Sequence, residues 1–220
     1  MRMLKSIAKL QFITQDIPGF SHIEQVEIAC SAGVRWVQLR MKEATVTKFK
    51  ETAIAVNRVC KKHESVFIVN DNVDVALKVQ ADGVHLGKKD MLPSKARLMM
   101  GLKAIIGGTA NSLSDMLWCT EEGCDYIGVG PYRFTSTKKN LSPVLQSCGM
   151  LDLIEAYSIS TDNPVPIIAI GGIQPDDVQE LIQSEYHGIA VSSAIAKIEN
   201  PAMAVEIFIN NLKHGVTTYS

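Results

Sequence analysis

Short apolar runs recur along the whole chain and alternate with longer segments whose apolar residues repeat at helical spacing. This alternation predicts strand–helix–strand units in which the strands lie parallel. The predicted strands cover residues 11–14, 36–40, 66–70, 83–87, 105–109, 126–131, 166–171 and 188–193. The predicted helices cover residues 21–32, 46–63, 73–79, 93–100, 112–122, 149–158, 176–184 and 201–212.

Eight such units in 220 residues predict an α/β fold, the (β/α)8 TIM barrel, slightly shorter than the usual ~250 residues. An open doubly wound sheet is the alternative, but no GxGxxG motif follows the first strand. Because the chain contains no linker or low-complexity tract, we expect a single barrel domain over residues 1–220.

Residue types suited to helix ends stand at the predicted boundaries. Ser112 is expected to cap the fifth helix, and residues 174–177 place Pro and two acids in a first turn. Gly33, Gly101 and Gly123 each follow a predicted helix, where glycine commonly ends the helix.

The composition narrows the class of protein. With 22 Lys+Arg, 23 Asp+Glu and a net charge of -1, no basic excess favours a nucleic-acid partner. The apolar content of 46% excludes disorder as the main state. Apolar runs such as 164–170 are far shorter than the ~20 residues of a membrane span, and the N-terminus carries no signal-peptide pattern. Five cysteines without a CxxC motif indicate reduced, mostly buried thiols, so we expect a cytoplasmic protein.

Polar side chains follow the second, third and fourth strands, where a barrel places its active site. Gln38, Arg40 and Lys42 alternate on one face and predict a clamp for phosphate or pyrophosphate, although a plug of ion pairs is the alternative. Asp71 and Asp90 end neighbouring strands and together predict a Mg2+ site beside a diphosphate. Taken singly, Asp71 could cap a helix and Asp90 could be a solvated loop acid.

The remaining strand ends supply hydroxyls and glycines. Thr109 ends the fifth strand, and Gly128 and Gly130 point inward from the sixth, which predicts space for a flat ligand. The long loop that follows carries Thr135, Ser136, Thr137 and Lys138 and is typical of a lid or binding loop. Gly171-Gly172 and Ser192-Ser193 end the last two strands, a frequent place for a phosphate site. His85 also lies on an inward face, where a hydrogen-bonded structural role is the simpler interpretation.

Together these residues predict two anion sites at the same end of the barrel. One is cationic and binds a metal ion, and the other is an uncharged phosphate site. The chain also resembles the thiamine phosphate synthase (thiamine-phosphate pyrophosphorylase) family over essentially its whole length. The resemblance rests on VQLRMK at 37–42, VNDNVDVAL at 69–77, ADGVHLGKKD at 81–90, IGVGPYRFTSTKKN at 127–140, IIAIGGI at 167–173 and GIAVSSAI at 188–195.

This resemblance implies a TIM-barrel transferase that joins aminomethylpyrimidine diphosphate to hydroxyethylthiazole phosphate, or to its carboxylated form. The products would be thiamine phosphate and pyrophosphate. The pyrimidine diphosphate would be held by Gln38, Arg40, Lys42, Asn70, Thr109 and Lys138. The thiazole phosphate would be held by Thr135, Ser136, Thr137, Gly172, Ser192 and Ser193. Asp71 and Asp90 would bind Mg2+, and the catalytic groups Arg40, Lys42 and Lys138 would stabilise the departing pyrophosphate in a dissociative substitution.

Departures from the family pattern concern residues other than the acids and cations. Lys88 stands where Gln is usual, Thr109 where Ser is common, Phe134 where Pro is frequent, and Asn111 where many relatives carry His. A related thiazole phosphate tautomerase is one alternative, but it needs a His at position 111 and has no need of two acids. A non-catalytic phosphate sensor and a generic phosphate-binding isomerase are further alternatives. The expected partners are small phosphorylated substrates, with no nucleic acid and no membrane, and homo-oligomerisation stays open.

Overall fold

A computed structural model describes residues 7–134 and 146–214 of the chain. Eight parallel strands close into a barrel in sequence order, and β1 pairs with β8 to complete it. The strands are β1 (Leu10–Ile13), β2 (Trp36–Leu39), β3 (Val66–Asn70), β4 (Gly83–Leu86), β5 (Ile105–Ala110), β6 (Tyr126–Val129), β7 (Ile167–Ile170) and β8 (Gly188–Val191). The predicted TIM barrel is confirmed, whereas a single domain over residues 1–220 stays a prediction.

The helices surround this barrel and match the predicted positions closely. They are α1 (His22–Ser31), α2 (Val46–Lys62), α3 (Val73–Val79), α4 (Pro93–Met100), α5 (Leu113–Glu121), α6 (Gln146–Ser160), α7 (Val178–Gln183), α8 (Ser193–Ala196) and α9 (Pro201–His214). Two details differ from the prediction. Residues 175–177 form a 3-10 turn before α7, and the expected eighth strand gives way at Ser193 to the short helix α8.

Local hydrogen bonds explain where several helices begin and end. Ser112 accepts from the backbone N–H of Asp115, as predicted for the start of α5. Gly33, Gly101 and Gly123 have φ values of 111°, 82° and 78°, a left-handed conformation that glycine adopts without a steric cost. The predicted helix stops are therefore confirmed.

The strands bury two separate layers of side chains, because alternate residues face opposite sides. Outward residues such as Val37, Ile127 and Val129 pack against the helices in the larger core. A smaller cluster fills the barrel itself and consists of Ile13, Trp36, Ile68, Ile105, Tyr126, Ile168 and Ala190. This packed interior leaves the site above it, at the carboxyl ends of the strands.

Four of the five cysteines, Cys30, Cys60, Cys119 and Cys124, are buried free thiols. The side chain of Cys148 lies outside the described residues. Among the helices that the structure describes, none has the length and apolar character needed to cross a membrane.

Candidate active site

A cavity of about 410 Å³ opens at the carboxyl ends of the barrel strands. Its walls include ten residues predicted from the sequence: Gln38, Arg40, Lys42, Asn70, Asp71, Asp90, Thr109, Gly172, Ser192 and Ser193. The fold thus brings residues from six different strand ends together around one space. Thr135, Ser136, Thr137 and Lys138 lie outside the described residues.

Two hydrogen-bonded amide side chains lie at the ends of β2 and β3. Gln38 Nε2 donates to Asn70 Oδ1 at 2.8 Å, and both side chains are buried. This bond fixes which end of the Gln38 amide faces outward. Gln38 Oε1 is buried and accepts no hydrogen bond from the described residues, so it is available to a donor on a ligand.

Arg40 follows on the same face and lies half-buried at the cavity wall. Burial lowers the pKa of its guanidinium, while the negative charges of Asp71 and Asp16 act in the opposite direction. Within the described ranges no acceptor bonds its side chain, whereas its backbone N–H donates to Thr14 Oγ1 at 3.1 Å. A half-buried guanidinium without an acceptor in the described ranges is suited to a bidentate phosphate contact.

Lys42 and Asp71 form an ion pair at the rim, with the Lys42 side chain 46% exposed. Asp71 has a φ of 63°, a left-handed conformation that is uncommon for a residue with a Cβ. The neighbouring Asn72 caps α3 by accepting from the N–H of Val75 at 2.9 Å. The alternative that Asp71 caps this helix is therefore wrong, and its carboxylate instead borders the cavity, paired with Lys42.

Asp90 lies directly against Asp71. Burial raises the pKa of the Asp90 carboxyl, and the side-chain contact with Asp71 raises it further, whereas the N–H of Gly87 lowers it. That N–H donates to Asp90 Oδ2 at 2.7 Å. The two acids thus converge. Asp90 is exposed and lies in a loop, as the alternative expected, but its carboxylate is anchored by the Gly87 N–H. Among the described residues no third Asp, Glu, His or Cys joins them in a metal-binding group.

Thr109 is joined to a buried hydrogen-bond chain through the barrel. His85 Nε2 lies 2.9 Å from Thr109 Oγ1, and His85 Nδ1 lies 3.0 Å from the Tyr126 hydroxyl. Gln11 Nε2 donates to that hydroxyl at 3.3 Å, and burial raises the pKa of Tyr126, which keeps it protonated. The interpretation of His85 as a hydrogen-bonded interior residue is confirmed.

The inward glycines of β6 contribute less space than the sequence suggested. A Cβ at Gly128 would lie 3.2 Å from His85 Cε1, so the space beside it is already occupied. Gly130 borders the cavity, but a Cβ there would lie 2.0 Å from the Ile170 carbonyl oxygen. Close packing of neighbouring strands, more than room for a ligand, explains both glycines.

The ends of β7 and β8 form an uncharged wall. Gly171 and Gly172 have φ values of 98° and 71° and border the cavity beside Ser192 and Ser193. Ser192 Oγ is buried and has no hydrogen-bond partner among the described residues. We call this wall the neutral side, and we call Arg40, Lys42, Asp71 and Asp90 the charged side.

Sequence reasoning named Asn111 and Lys88 as departures from the family pattern but gave them no role at the cavity, which both of them line. Asn111 donates through Nδ2 to the carbonyl of Gly130, and Lys88 forms an ion pair with Asp115 of α5. Tyr126 was also missed, although its alternation with Gly128 placed it on the inward face. A second cavity, of about 490 Å³, adjoins the neutral side and is lined by Arg133, Phe134, Gly172, Gln174, Asp176, Asp177 and Ser193.

Known proteins resemble this chain over nearly its full length. A family model described as thiamine monophosphate synthase matches residues 10–195. A thiamine-phosphate synthase of Bacteroides fragilis is 41% identical over 201 residues, covering 91% of this chain and 98% of that protein. The thiamine-phosphate synthase of Flavobacterium psychrophilum is 42% identical over 193 residues, covering 88% and 93%.

A solved structure has the same architecture. The thiamine phosphate pyrophosphorylase of Pyrococcus furiosus superposes with a TM-score of 0.83 at 31% identity, covering 94% of this chain and 96% of that one. The family match includes all eight strands and the cavity between their ends. The chain therefore belongs to the thiamine monophosphate synthase family.

Proposed function

We propose that this protein is a transferase that joins aminomethylpyrimidine diphosphate to hydroxyethylthiazole phosphate, or to its carboxylated form, and releases thiamine phosphate and pyrophosphate. The observation that carries this proposal is one cavity with a charged side and a neutral side. Two phosphorylated substrates need two anion sites, and a diphosphate leaving group needs the more strongly charged one. Family membership supports the same reaction.

The pyrimidine diphosphate belongs on the charged side. Gln38 Oε1 is a buried acceptor without a partner, suited to the amino group of the pyrimidine. Arg40 and Lys42 line the wall that the diphosphate would face, and Asn70 holds the Gln38 amide in orientation. Thr109 offers a hydroxyl to the ring, and Lys138 is assigned to the diphosphate by the family resemblance.

The donor set of the charged side fits Mg2+. Asp71 and Asp90 are carboxylates in mutual contact. Burial, and then the contact with Asp71, raise the pKa of Asp90, and a bound cation would offset both effects. Two carboxylates, with no third Asp, Glu, His or Cys beside them in the described part of the chain, suit an ion that takes its other ligands from water and phosphate oxygens. When bound, Mg2+ would neutralise charge on the diphosphate.

The thiazole phosphate belongs on the neutral side. Ser192 Oγ lacks a partner, and the left-handed Gly171 and Gly172 let the backbone approach a ligand closely. Ser193 completes this wall, while Thr135, Ser136 and Thr137 are assigned to the same substrate by the family resemblance. The neutral side would hold a phosphate that does not react.

The chemistry is a dissociative substitution. The bond between the pyrimidine methylene carbon and the diphosphate oxygen breaks first, and Arg40, Lys42 and Lys138 stabilise the departing pyrophosphate. The thiazole nitrogen then supplies an electron pair to the methylene cation and forms the new bond. The walls act mainly by holding both substrates in reach of each other, and no general base is required.

The proposed location and partners of the protein rest on its cysteines and its net charge. The four described cysteines are free thiols, which supports a cytoplasmic location. The net charge of -1 supports small phosphorylated substrates rather than nucleic acid as partners. The absence of a membrane partner remains a prediction, and homo-oligomerisation stays open.

The test is a coupling assay with purified protein, both substrates, and either Mg2+ or EDTA. We expect thiamine phosphate with Mg2+ and none with EDTA. If folded protein left both substrates intact, the proposed reaction would be wrong. Following conversion between thiazole phosphate isomers in the same samples would then test the tautomerase alternative, and binding of each substrate would test the sensor.

A further inference from the structure

The buried hydrogen-bond chain beneath Thr109 has a definite direction. Gln11 Nε2 donates to the Tyr126 hydroxyl oxygen, so the phenolic hydrogen is left for His85 Nδ1. His85 Nδ1 then accepts, which places the ring hydrogen on Nε2. Nε2 faces Thr109 Oγ1 at 2.9 Å and donates to it. The opposite direction would leave the hydrogen of the fully buried Tyr126 hydroxyl without an acceptor among the described residues.

This direction sets what Thr109 can do at the cavity wall. Because Thr109 Oγ1 accepts from His85, its own hydrogen points away from the imidazole. Thr109 lines the cavity and is only half-buried, so the hydroxyl can donate to a ligand there. Across the same cavity, Gln38 Oε1 is an unpartnered buried acceptor. The two walls therefore present one donor and one acceptor, which complement an amidine-like edge with a ring nitrogen and an amino group.

The packing around the chain preserves this arrangement. A Cβ at Gly107 would lie 2.1 Å from Tyr126 Cζ, so a glycine there is what admits the tyrosine ring. Trp36 packs edge-on against that ring with centroids 4.8 Å apart, and Gly128 leaves room for His85. Tyr126 does not itself line the cavity, whereas His85 and Thr109 both do. Its hydroxyl can influence a ligand only through His85 and Thr109.

We infer that Tyr126 and His85 are positioning residues that make the Thr109 hydroxyl a hydrogen-bond donor to the pyrimidine ring of the diphosphate substrate. This inference rests on the proposed function, since it takes Thr109 to contact the pyrimidine. It adds a specificity determinant in the barrel interior, two side chains removed from the substrate.

The test is a double-mutant cycle on the full chain with Tyr126→Phe, Thr109→Val and the double variant. Tyr126→Phe should lower kcat/KM for the pyrimidine diphosphate about tenfold, the effect of one misdirected hydrogen bond, and leave KM for the thiazole phosphate unchanged. Thr109→Val should cost at least as much. The double variant should be no worse than Thr109→Val, because Tyr126 acts only through that hydroxyl. Thr109→Ser, which keeps the hydroxyl, should restore most of the activity.

Two controls separate positioning from general loosening of the barrel. Trp36→Phe disturbs the same ring packing without touching the hydrogen bonds, so it should lower Tm but change kcat/KM less than about threefold. His85→Gln should lower kcat/KM as much as Tyr126→Phe does. In the Thr109→Val background, His85→Gln should have no further effect on kcat/KM. The inference would be overturned if the double variant lost kcat/KM by the product of the two single losses. It would also be overturned if Tyr126→Phe left kcat/KM unchanged. If Thr109→Val changed only the thiazole phosphate KM, the assignment of Thr109 in the proposed function would fall as well.

Discussion

The charged and neutral sides of the cavity offer an anion different physical environments. On the charged side, cations and carboxylates lie close together, and each limits the freedom of its neighbour: Lys42 pairs with Asp71, and Asp71 contacts Asp90. On the neutral side, left-handed glycines and a serine hydroxyl without a partner among the described residues border the cavity without a formal charge. In the proposed reaction, the side with ions stabilises the departing charge, and the side without ions holds the phosphate that does not react.

This difference suggests how each of the two substrates would be directed to its own side of the cavity. A diphosphate with bound metal would gain most from the charged side, where Arg40 and Lys42 supply opposite charges. A monoester phosphate gains enough from neutral donors. The comparison predicts that damage to the charged side lowers the rate, whereas damage to the neutral side weakens binding.

The largest expected effect comes from removing one carboxylate. Asp71→Ala or Asp90→Ala should lower Mg2+-dependent kcat/KM about 1,000-fold while the far-UV spectrum and Tm stay close to wild type. The matched control is Asp74→Ala, an exposed acid three residues along in α3. Wild-type rates in both variants at limiting Mg2+ would refute the metal assignment.

Removing Lys138 should have the next largest effect. Lys138→Ala should lower kcat about 100-fold, the cost of one missing charge-stabilising donor, with little change in KM for thiazole phosphate. Lys103→Ala, an exposed lysine away from the cavity, is the control. A change confined to the thiazole phosphate KM would assign Lys138 to the neutral side instead and break the division of roles.

The neutral side is tested by a single hydroxyl. Ser192→Ala removes the buried unpartnered Oγ and should raise KM for thiazole phosphate about tenfold, with kcat and the other KM nearly unchanged. Steady-state kinetics with each substrate varied in turn measures this split, and the exposed Ser158→Ala provides the comparison. A fall in kcat equal to that of the carboxylate variants would contradict a purely binding role.

The smallest effect is expected at Lys88, which departs from the family pattern. Its ion pair with Asp115 is 44% exposed on the lysine side, so solvent screens it. Lys88→Gln should change the free energy of unfolding by less than ~1 kcal/mol and kcat/KM by less than about twofold. Urea unfolding and the coupling assay measure the two quantities. A tenfold loss of activity would place Lys88 among the groups that hold the diphosphate.

Much of the site could be predicted because barrel geometry is periodic. Alternation along β2 placed Gln38 inward, and the strand-end rule placed Asp71, Asp90 and Ser192 at one mouth. The same periodicity could not reveal which polar groups pair with each other. The ion pair between Lys42 and Asp71 joins residues 29 positions apart, and their contact depends on how two strands pair.

The glycines show most clearly what could not be predicted from the sequence. An inward glycine leaves space only relative to its neighbours, and neighbours on adjacent strands are not adjacent in sequence. Gly128 was expected to open room for a ligand, yet His85 of β4 reaches that position across β5. Asn72, not Asp71, caps α3 for a similar reason, because the left-handed turn at Asp71 turns its carboxylate toward Asp90.

The sequence by itself determined the order and type of the elements, the inward and outward faces of the strands, and the strand ends at which chemistry is concentrated. These features depend on spacing along the chain, and spacing of 2.0 and 3.6 residues is encoded locally. Only the tertiary structure decided that Gln11, Tyr126, His85 and Thr109 form one hydrogen-bond chain and that the two acids are in contact. It also decided that Gln38 Oε1 and Ser192 Oγ have no partner among the described residues. Each of these depends on closure of the barrel, which sets the register between strands and so brings side chains distant in sequence within hydrogen-bond reach.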